Sequence, residues 1–287
     1  DNFQIVSVYT DLGRAFLFYE NLKEAEEHLV KATQLFNAIS NDIRRPEMNL
    51  IYENFVLLYL TKKDFNKAQK YIEKNFENKI LYVKEQSQYF PVDQREDFNK
   101  FSLIDNSLIF SLSEKLPMGK ELAFKARLNR HGLLEDIEKY QSDISNLKES
   151  DKLTFDNLRL IDSQLSDLSI IGNERSKLNS EKRKIENIFY SNIPNFKPKI
   201  IEINDIKKVL PNKSVLVEFQ KYKPVEFISP LNFEFRDDQY IALVLNSNGD
   251  LNFIELGSAE KIEKLISDAI YSTKEYFDDA DLLWKEL

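Results

Sequence analysis

The fold is decided by the stretch VYTDLGRAFLFYENLKEAEEHLVKATQLF, residues 8–36. Within it, the small residues Gly13, Ala25 and Ala32 alternate with large apolar residues at helical spacing. Two helices approach closely only where small side chains leave room, and large side chains then fill the space between them. The stretch therefore predicts two α-helices that pack closely against each other.

This spacing resembles one tetratricopeptide repeat in full register, with Tyr9 at the position where the repeat usually has tryptophan. A second copy is predicted 43 residues further on, because Tyr52 follows Tyr9 and Ala68 follows Ala25 by that distance. The standard repeat has about 34 residues, so we expect the extra length in the connection at residues 40–47. A generic pair of helical hairpins is the alternative interpretation.

Residues 139–193 are polar and almost free of glycine and proline. Apolar residues in this segment step by three and four positions, as in a coiled-coil seam: Leu158, Ile161, Leu165 and Leu168. We expect two antiparallel helices packed as a hairpin, with the turn at residues 149–151.

Strand signals begin after Pro194 and Pro198. Residues 214–222 alternate apolar and polar side chains, and residues 240–245 are continuously apolar, as in a buried central strand. The turn sequence NSNGD then leads into a returning antiparallel strand, LNFIEL. An amphipathic helix, capped by Ser258, follows.

These patterns predict a mainly α fold in three parts. Residues 1–140 form a tetratricopeptide-like helical repeat region, and residues 141–193 form a long helical hairpin that is similar to a coiled coil. Residues 200–287 form a partial α/β domain.

The order of the parts resembles the CHAT-domain family, in which a caspase-like peptidase domain follows tetratricopeptide repeats, often in bacteria. The matching segments are ARLNRHGLLEDI before the hairpin and VLVEFQKY with YIALVLNSNGDLNFIELG after it. The resemblance spans about residues 5–287 and implies a caspase-like α/β domain. It also implies a cysteine–histidine dyad, located after the region similar to residues 282–287, so no catalytic position is carried over.

The resemblance therefore implies an inactive, regulatory, amino-terminal part of a cysteine peptidase. Its expected partners are a protein or peptide and the missing carboxy-terminal half of the CHAT domain. Self-association through residues 214–270 is also expected, because an unfinished sheet leaves an open edge and apolar surface. The alternative is a non-catalytic scaffold for protein–protein interaction.

The register of the repeat implies a partner-binding groove on the first helix of each pair. In the first pair the groove residues are Ser7, Thr10, Arg14 and Leu17, and in the second they are Leu50, Glu53, Leu57 and Leu60. Arg14 is either a clamp for a partner carboxylate or an ordinary exposed arginine. The second set is mainly apolar, so a following helix could cover it instead.

Composition excludes several classes of function. The net charge of −8 argues against a general nucleic-acid binder. The chain has no cysteine, which excludes disulfides and thiolate metal sites and fits a cytoplasmic protein. Its longest fully apolar run, FVLLYL, is too short to span a membrane. Because the chain opens on Asp1, we expect it to be a fragment of a longer protein.

Neither histidine is predicted to be catalytic. His131 is expected on an exposed helix face, with no cysteine to pair with, and His28 lies among acidic residues and is expected at the surface. The acidic clusters at residues 237–238 and 278–281 are interpreted as solvated rather than metal-binding. No nucleotide-binding loop and no GxSxG motif occurs, so neither a cofactor nor a metal is expected.

Overall fold

The computed structural model describes residues 2–39, 46–86, 106–130, 146–167, 170, 172–192, 198–230 and 232–275. This part of the chain is mainly helical, with a small antiparallel sheet towards the carboxyl end, which confirms the predicted fold class at that level. The helices are α1 (Asn2–Phe18), α2 (Leu22–Ile39), α3 (Pro46–Thr61), α4 (Phe65–Gln86), α5 (Ser107–Ser111), α6 (Gly119–Arg130), α7 (Glu149–Ser166), α8 (Gly172–Asn192), α9 (Ile203–Val209) and α10 (Ala259–Glu275). The strands are β1 (Val215–Tyr222), β2 (Val225–Ser229), β3 (Asn232–Phe235), β4 (Gln239–Asn246) and β5 (Leu251–Ser258).

The chain divides into two compact units. The first consists of Asp1–Ile104 and Leu128–Ile200, and the second of Asp105–Arg127 and Ile201–Leu287. The sequence pattern predicts residues 105–127 as part of a helical region at 1–140, whereas their contacts group them with the strands. Local periodicity cannot reveal this, because it identifies a helix without identifying what the helix packs against.

Two hairpins in the first unit, α1–α2 and α3–α4, have the same turn. In the first turn, the amide of Asn21 donates to the carbonyl five residues earlier, and Glu20 has a left-handed φ of 57°. In the second turn, the amide of Asp64 donates in the same way, and Lys63 has a φ of 56°. The two turns are therefore equivalent at the 43-residue offset expected for the repeat.

The small residues mark the place where α1 and α2 approach most closely. A Cβ atom on Gly13 would lie 2.7 Å from the Leu29 side chain, closer than the two groups could pack. Ala25 and Ala32 are fully buried. The prediction that these three residues allow close helix packing is confirmed.

Helix α3 is buried on most of its surface because it packs against α1, α2 and α4. The ring of Phe55 in α3 stacks on the ring of Tyr71 in α4, with the ring centroids 4.3 Å apart. At the side of α2, the Tyr59 hydroxyl donates to the Glu26 carboxylate over 2.7 Å, and Lys62 also binds this carboxylate. Burial opposes ionisation of Glu26, but the hydrogen bonds from Lys62 and Tyr59 outweigh it and lower the pKa of Glu26.

The predicted helical hairpin is present as α7 and α8, which pack against each other. The expected turn at residues 149–151 is wrong, because α7 begins at Glu149. Acidic residues in a first helical turn are favoured by the helix dipole, so this acidic stretch starts the helix rather than interrupting it. The interruption instead separates Ser166 from Gly172, which has a left-handed φ of 61°. Three seam residues, Leu158, Ile161 and Leu165, are buried, while Leu168 lies outside the described residues.

A buried charge cluster joins α8 to α4 and α7. The Lys182 ammonium lies 2.7 Å from a carboxylate oxygen of Glu85, 2.7 Å from one of Asp162 and 3.8 Å from one of Glu186. Burial alone would lower the pKa of Lys182, but these three carboxylates outweigh it and raise the pKa above the ordinary value for lysine. The charged form of Lys182 therefore stabilises this part of the first unit.

In the second unit, β1, β4 and β5 form an antiparallel sheet in which β4 is central. Ile241, Leu243 and Leu245 of β4 are buried, as the continuous apolar run predicted. The β4–β5 pairing contains a bulge after Tyr240, whereas the β1–β4 register is regular from Val215 to Tyr222.

A second, two-stranded sheet lies between β1 and β4 along the chain, in residues for which the sequence pattern predicted no strand. Strands β2 and β3 pair antiparallel, and Phe227 packs edge-on against Phe233 with centroids 5.4 Å apart. Both strands are short and lie next to Pro224 or Pro230, which masks them in the sequence pattern.

Helices α5 and α6 pack within the second unit through specific polar contacts. The amide of Val225 donates to the Ser111 hydroxyl over 2.9 Å. The Arg127 guanidinium lies 3.1 Å from the Glu218 carboxylate and donates to the Gln220 side chain over 3.3 Å. These contacts position the end of α6 on β1.

Candidate partner-binding face

The predicted groove residues of α1 separate into two pairs. Ser7 and Arg14 are exposed, with side chains one heptad apart on the same face of the helix. Thr10 and Leu17 are buried, and the Thr10 hydroxyl donates to the Val6 carbonyl over 2.8 Å. The assignment of Thr10 and Leu17 to an open groove is therefore wrong, because α1 packs against α2 and α3 and these two side chains are buried.

The predicted residues of α3 follow the same pattern at the 43-residue offset. Leu50 is exposed and Leu57 is half-buried, at the positions equivalent to Ser7 and Arg14. Leu60, at the position equivalent to Leu17, is buried. The alternative that a following helix covers this whole set does not hold for Leu50, of which 52% remains exposed.

Glu53 is the one predicted residue with an ionic partner across the second hairpin. Its carboxylate lies 2.6 Å from the Lys79 ammonium of α4, and both side chains keep contact with solvent. Lys79 was missed by the sequence analysis, because nothing in the local pattern of α4 shows that it reaches α3. The pair fixes Glu53 and removes most of its capacity to bind a partner cation.

We call Ser7, Arg14, Leu50 and Leu57 the groove face. It combines an exposed guanidinium and a hydroxyl on α1 with two leucine side chains on α3. A guanidinium binds a carboxylate with two parallel hydrogen bonds, and leucines offer apolar contact. Such a surface suits a peptide that carries a carboxylate near apolar side chains.

The histidines differ from their expected roles in one respect. His28 is half-buried rather than at the surface, because its ring stacks on Phe16 with centroids 5.1 Å apart and packs against Tyr9 at 5.7 Å. It therefore helps to hold α2 on α1. His131 lies outside the described residues.

The described ranges also bear on metal binding and on membrane insertion. No group of three histidine or acidic side chains in these ranges could hold a metal ion. The acidic residues 237–238 are within them, whereas 278–281 are not. Among the helices described above, none combines the length and apolar character needed to cross a membrane.

Comparison with known proteins identifies no relative. A scan against protein-family models, a search of curated proteins and a search of solved structures each found no match to this chain.

Proposed function

We propose that this chain is the amino-terminal tetratricopeptide and partial CHAT region of a caspase-like cysteine peptidase, which binds a protein partner and regulates the peptidase. The observation that most directly supports a binding role is the groove face. Two equivalent hairpins bury Leu17 and Leu60 between helices and leave Arg14 and Leu50 open at equivalent faces.

The chemistry of this face supports a peptide segment as the partner. A carboxylate of the partner would bind the exposed guanidinium of Arg14, and apolar side chains would contact Leu50 and Leu57. Glu53 would contribute indirectly, because its ion pair with Lys79 holds α3 against α4 beside the groove face. The proposed location is the cytoplasm, where a chain without cysteine is unaffected by the reducing conditions.

The second unit supports the peptidase part of the proposal. Its three-stranded sheet leaves apolar side chains exposed on one face, among them Val217, Phe219 and Ile254. Exposed apolar patches on a sheet are typical of an interface. In the proposal, the missing carboxy-terminal half of the CHAT domain covers them and supplies the cysteine nucleophile that these 287 residues lack.

The binding role is tested by selecting a random-peptide library on the whole chain. We expect enrichment of peptides that combine acidic and apolar residues. Arg14→Ala should weaken their binding about tenfold or more, the value of a hydrogen-bonded charge. Lys31→Ala, at an exposed position of α2, is the matched control. Equal losses in both variants, or peptides without acidic residues, would contradict the role of Arg14.

The catalytic part is tested with a broad screen of peptide substrates. We expect no hydrolysis by the chain alone, because it contains no thiol that could act as nucleophile. Turnover that co-purifies with the chain and disappears in His131→Ala would overturn this expectation.

A non-catalytic interaction scaffold is the second candidate function. The groove face is the observation that favours it, because binding a partner there requires no catalytic group. The regulator and the scaffold predict different rates of peptide hydrolysis when the chain is added to a cysteine peptidase that binds its groove face. A regulator changes the rate of that peptidase, whereas a scaffold leaves the rate unchanged.

A further inference from the structure

Helix α1 carries a stripe of exposed apolar residues on a side different from the groove face. Ile5, Val8, Leu12 and Ala15 step by three, four and three positions, the spacing at which one helix packs along another. Ile5 is 48% exposed, Val8 55% and Leu12 39%, and Ala15 is also exposed. We call these four residues the α1 stripe.

The residues equivalent to the α1 stripe on α3 are buried. At the 43-residue offset they are Met48, Ile51, Phe55 and Leu58. Their exposed fractions are 1%, 0%, 2% and 0%. Helix α3 buries them because it packs against α1, α2 and α4. The same helical positions are therefore covered in one hairpin and open in the other.

We propose that the α1 stripe is the binding surface for a further helical hairpin, which stacks on α1 as the hairpin α1–α2 stacks on α3. The occupant is a two-helix unit with an apolar inner side, and it continues the interface that already exists between the two hairpins. This inference rests on burial at equivalent positions and does not depend on the peptide-binding role of Arg14.

The edge of the stripe defines the occupant further. In the existing interface, Glu26 of α2 accepts hydrogen bonds from Tyr59 of α3 and from Lys62, which directly follows α3. The equivalent positions in the first hairpin hold Phe16 of α1 and Tyr19, which directly follows α1, so the phenol at the first position and the ammonium at the second are both missing. A carboxylate placed there would lose most of its stabilising partners. The occupant therefore has an uncharged residue where α2 has Glu26.

A second copy of this chain cannot occupy the stripe in the same way. The inner side of the α1–α2 hairpin includes Thr10, Leu17 and Leu29, and all three are already buried within the chain. A copy would have to use another surface, so the occupant is a separate hairpin.

The experiment extends the whole chain by its own hairpin. A second copy of residues 3–45, carrying Glu26→Gln, is inserted before Phe3, which preserves the 43-residue offset. We expect hydrogen exchange of the original α1 to slow at least tenfold in the extended chain. The same insert with the native Glu26 should protect α1 less.

Val8→Asp in the original α1 provides the decisive comparison. It should abolish the added protection in the extended chain and leave the stability of the unextended chain unchanged, because Val8 is exposed there. Val30→Asp, at an exposed apolar position of α2, should keep the added protection in the extended chain and also leave the stability of the unextended chain unchanged. No gain in protection, or equal protection with Val8→Asp, would overturn the proposal. So would an unextended chain that is dimeric and becomes monomeric with Val8→Asp, since the occupant would then be a second copy.

Discussion

Replacing Lys182 with methionine should destabilise the first unit strongly. The substitution removes the ammonium from a position 2.7 Å from both Glu85 and Asp162, and methionine fills most of its volume. The side chain of Glu85 is only 3% exposed and that of Asp162 11%, so water screens the two carboxylates poorly once the ammonium is removed. Removing one partner of a buried ion pair costs about 3–5 kcal/mol. We expect a loss in the free energy of unfolding within that range at pH 7.

The assay is urea denaturation followed by helical circular dichroism, with amide exchange in α4, α7 and α8 to locate the loss. Lys184→Met is the matched control, because Lys184 is exposed on the same helix. It should change the unfolding free energy by less than about 0.5 kcal/mol. If Lys182→Met costs no more than Lys184→Met, the charges are hydrated in solution and the reasoning fails.

The pH dependence of the unfolding free energy tests the role of Lys182 independently. Because folding raises the pKa of Lys182, its stabilising contribution is complete below its ordinary pKa of about 10.5. The contribution is lost as the pH rises further, through the pKa of the folded state. On the alkaline side of neutrality, the difference in stability between the native chain and Lys182→Met should therefore shrink only above about pH 10.5. A difference that is constant through this range would show that Lys182 is not the titrating group.

Three further perturbations have defined outcomes. Gly119→Ala should cost about 1–3 kcal/mol in urea denaturation, because its Cβ would lie 2.2 Å from the backbone carbonyl oxygen of Ser113; an unchanged midpoint would refute this close approach. Because folding lowers the pKa of Glu26, its stabilising contribution is present above about pH 4.5 and lost as the pH falls below that value. The advantage of the native chain over Glu26→Gln should follow that profile in thermal melts, and an advantage that does not begin to shrink as the pH falls below about 4.5 would contradict it. Finally, Phe219→Lys should reduce self-association in light scattering, since Phe219 is exposed on the open face of the sheet; a native chain that is monomeric at all concentrations would rule out association through residues 214–270.

The helices and the central sheet follow from the sequence where a strong local signal exists. Gly13 and Ala25 predict the close helix pair, since only small residues allow that distance. The apolar run of β4 predicts a central strand, and β4 indeed lies between β1 and β5 with Ile241, Leu243 and Leu245 buried. In contrast, β2 and β3 are too short and too close to prolines for their periodicity to be read.

The candidate site is predicted only in part, for a different physical reason. Helical periodicity places Ser7, Thr10, Arg14 and Leu17 near one face, but it contains no information on which neighbour covers that face. The packing of α3 against α1 divides them into an open pair and a buried pair. The pairing of Lys79 with Glu53 likewise depends on the side-by-side packing of two helices.

The composition of the second unit has a consequence for folding during synthesis. The hydrogen bond between Val225 and Ser111 joins residues 114 positions apart. At a ribosomal rate of about 5–20 residues per second, α5 and α6 therefore wait on the order of ten seconds for the strands they pack against. Phe110 and Phe124, buried in the finished protein, are exposed to solvent or to chaperones during that interval. The hairpins α1–α2 and α3–α4 need only local contacts and can fold while the rest of the chain is still being made.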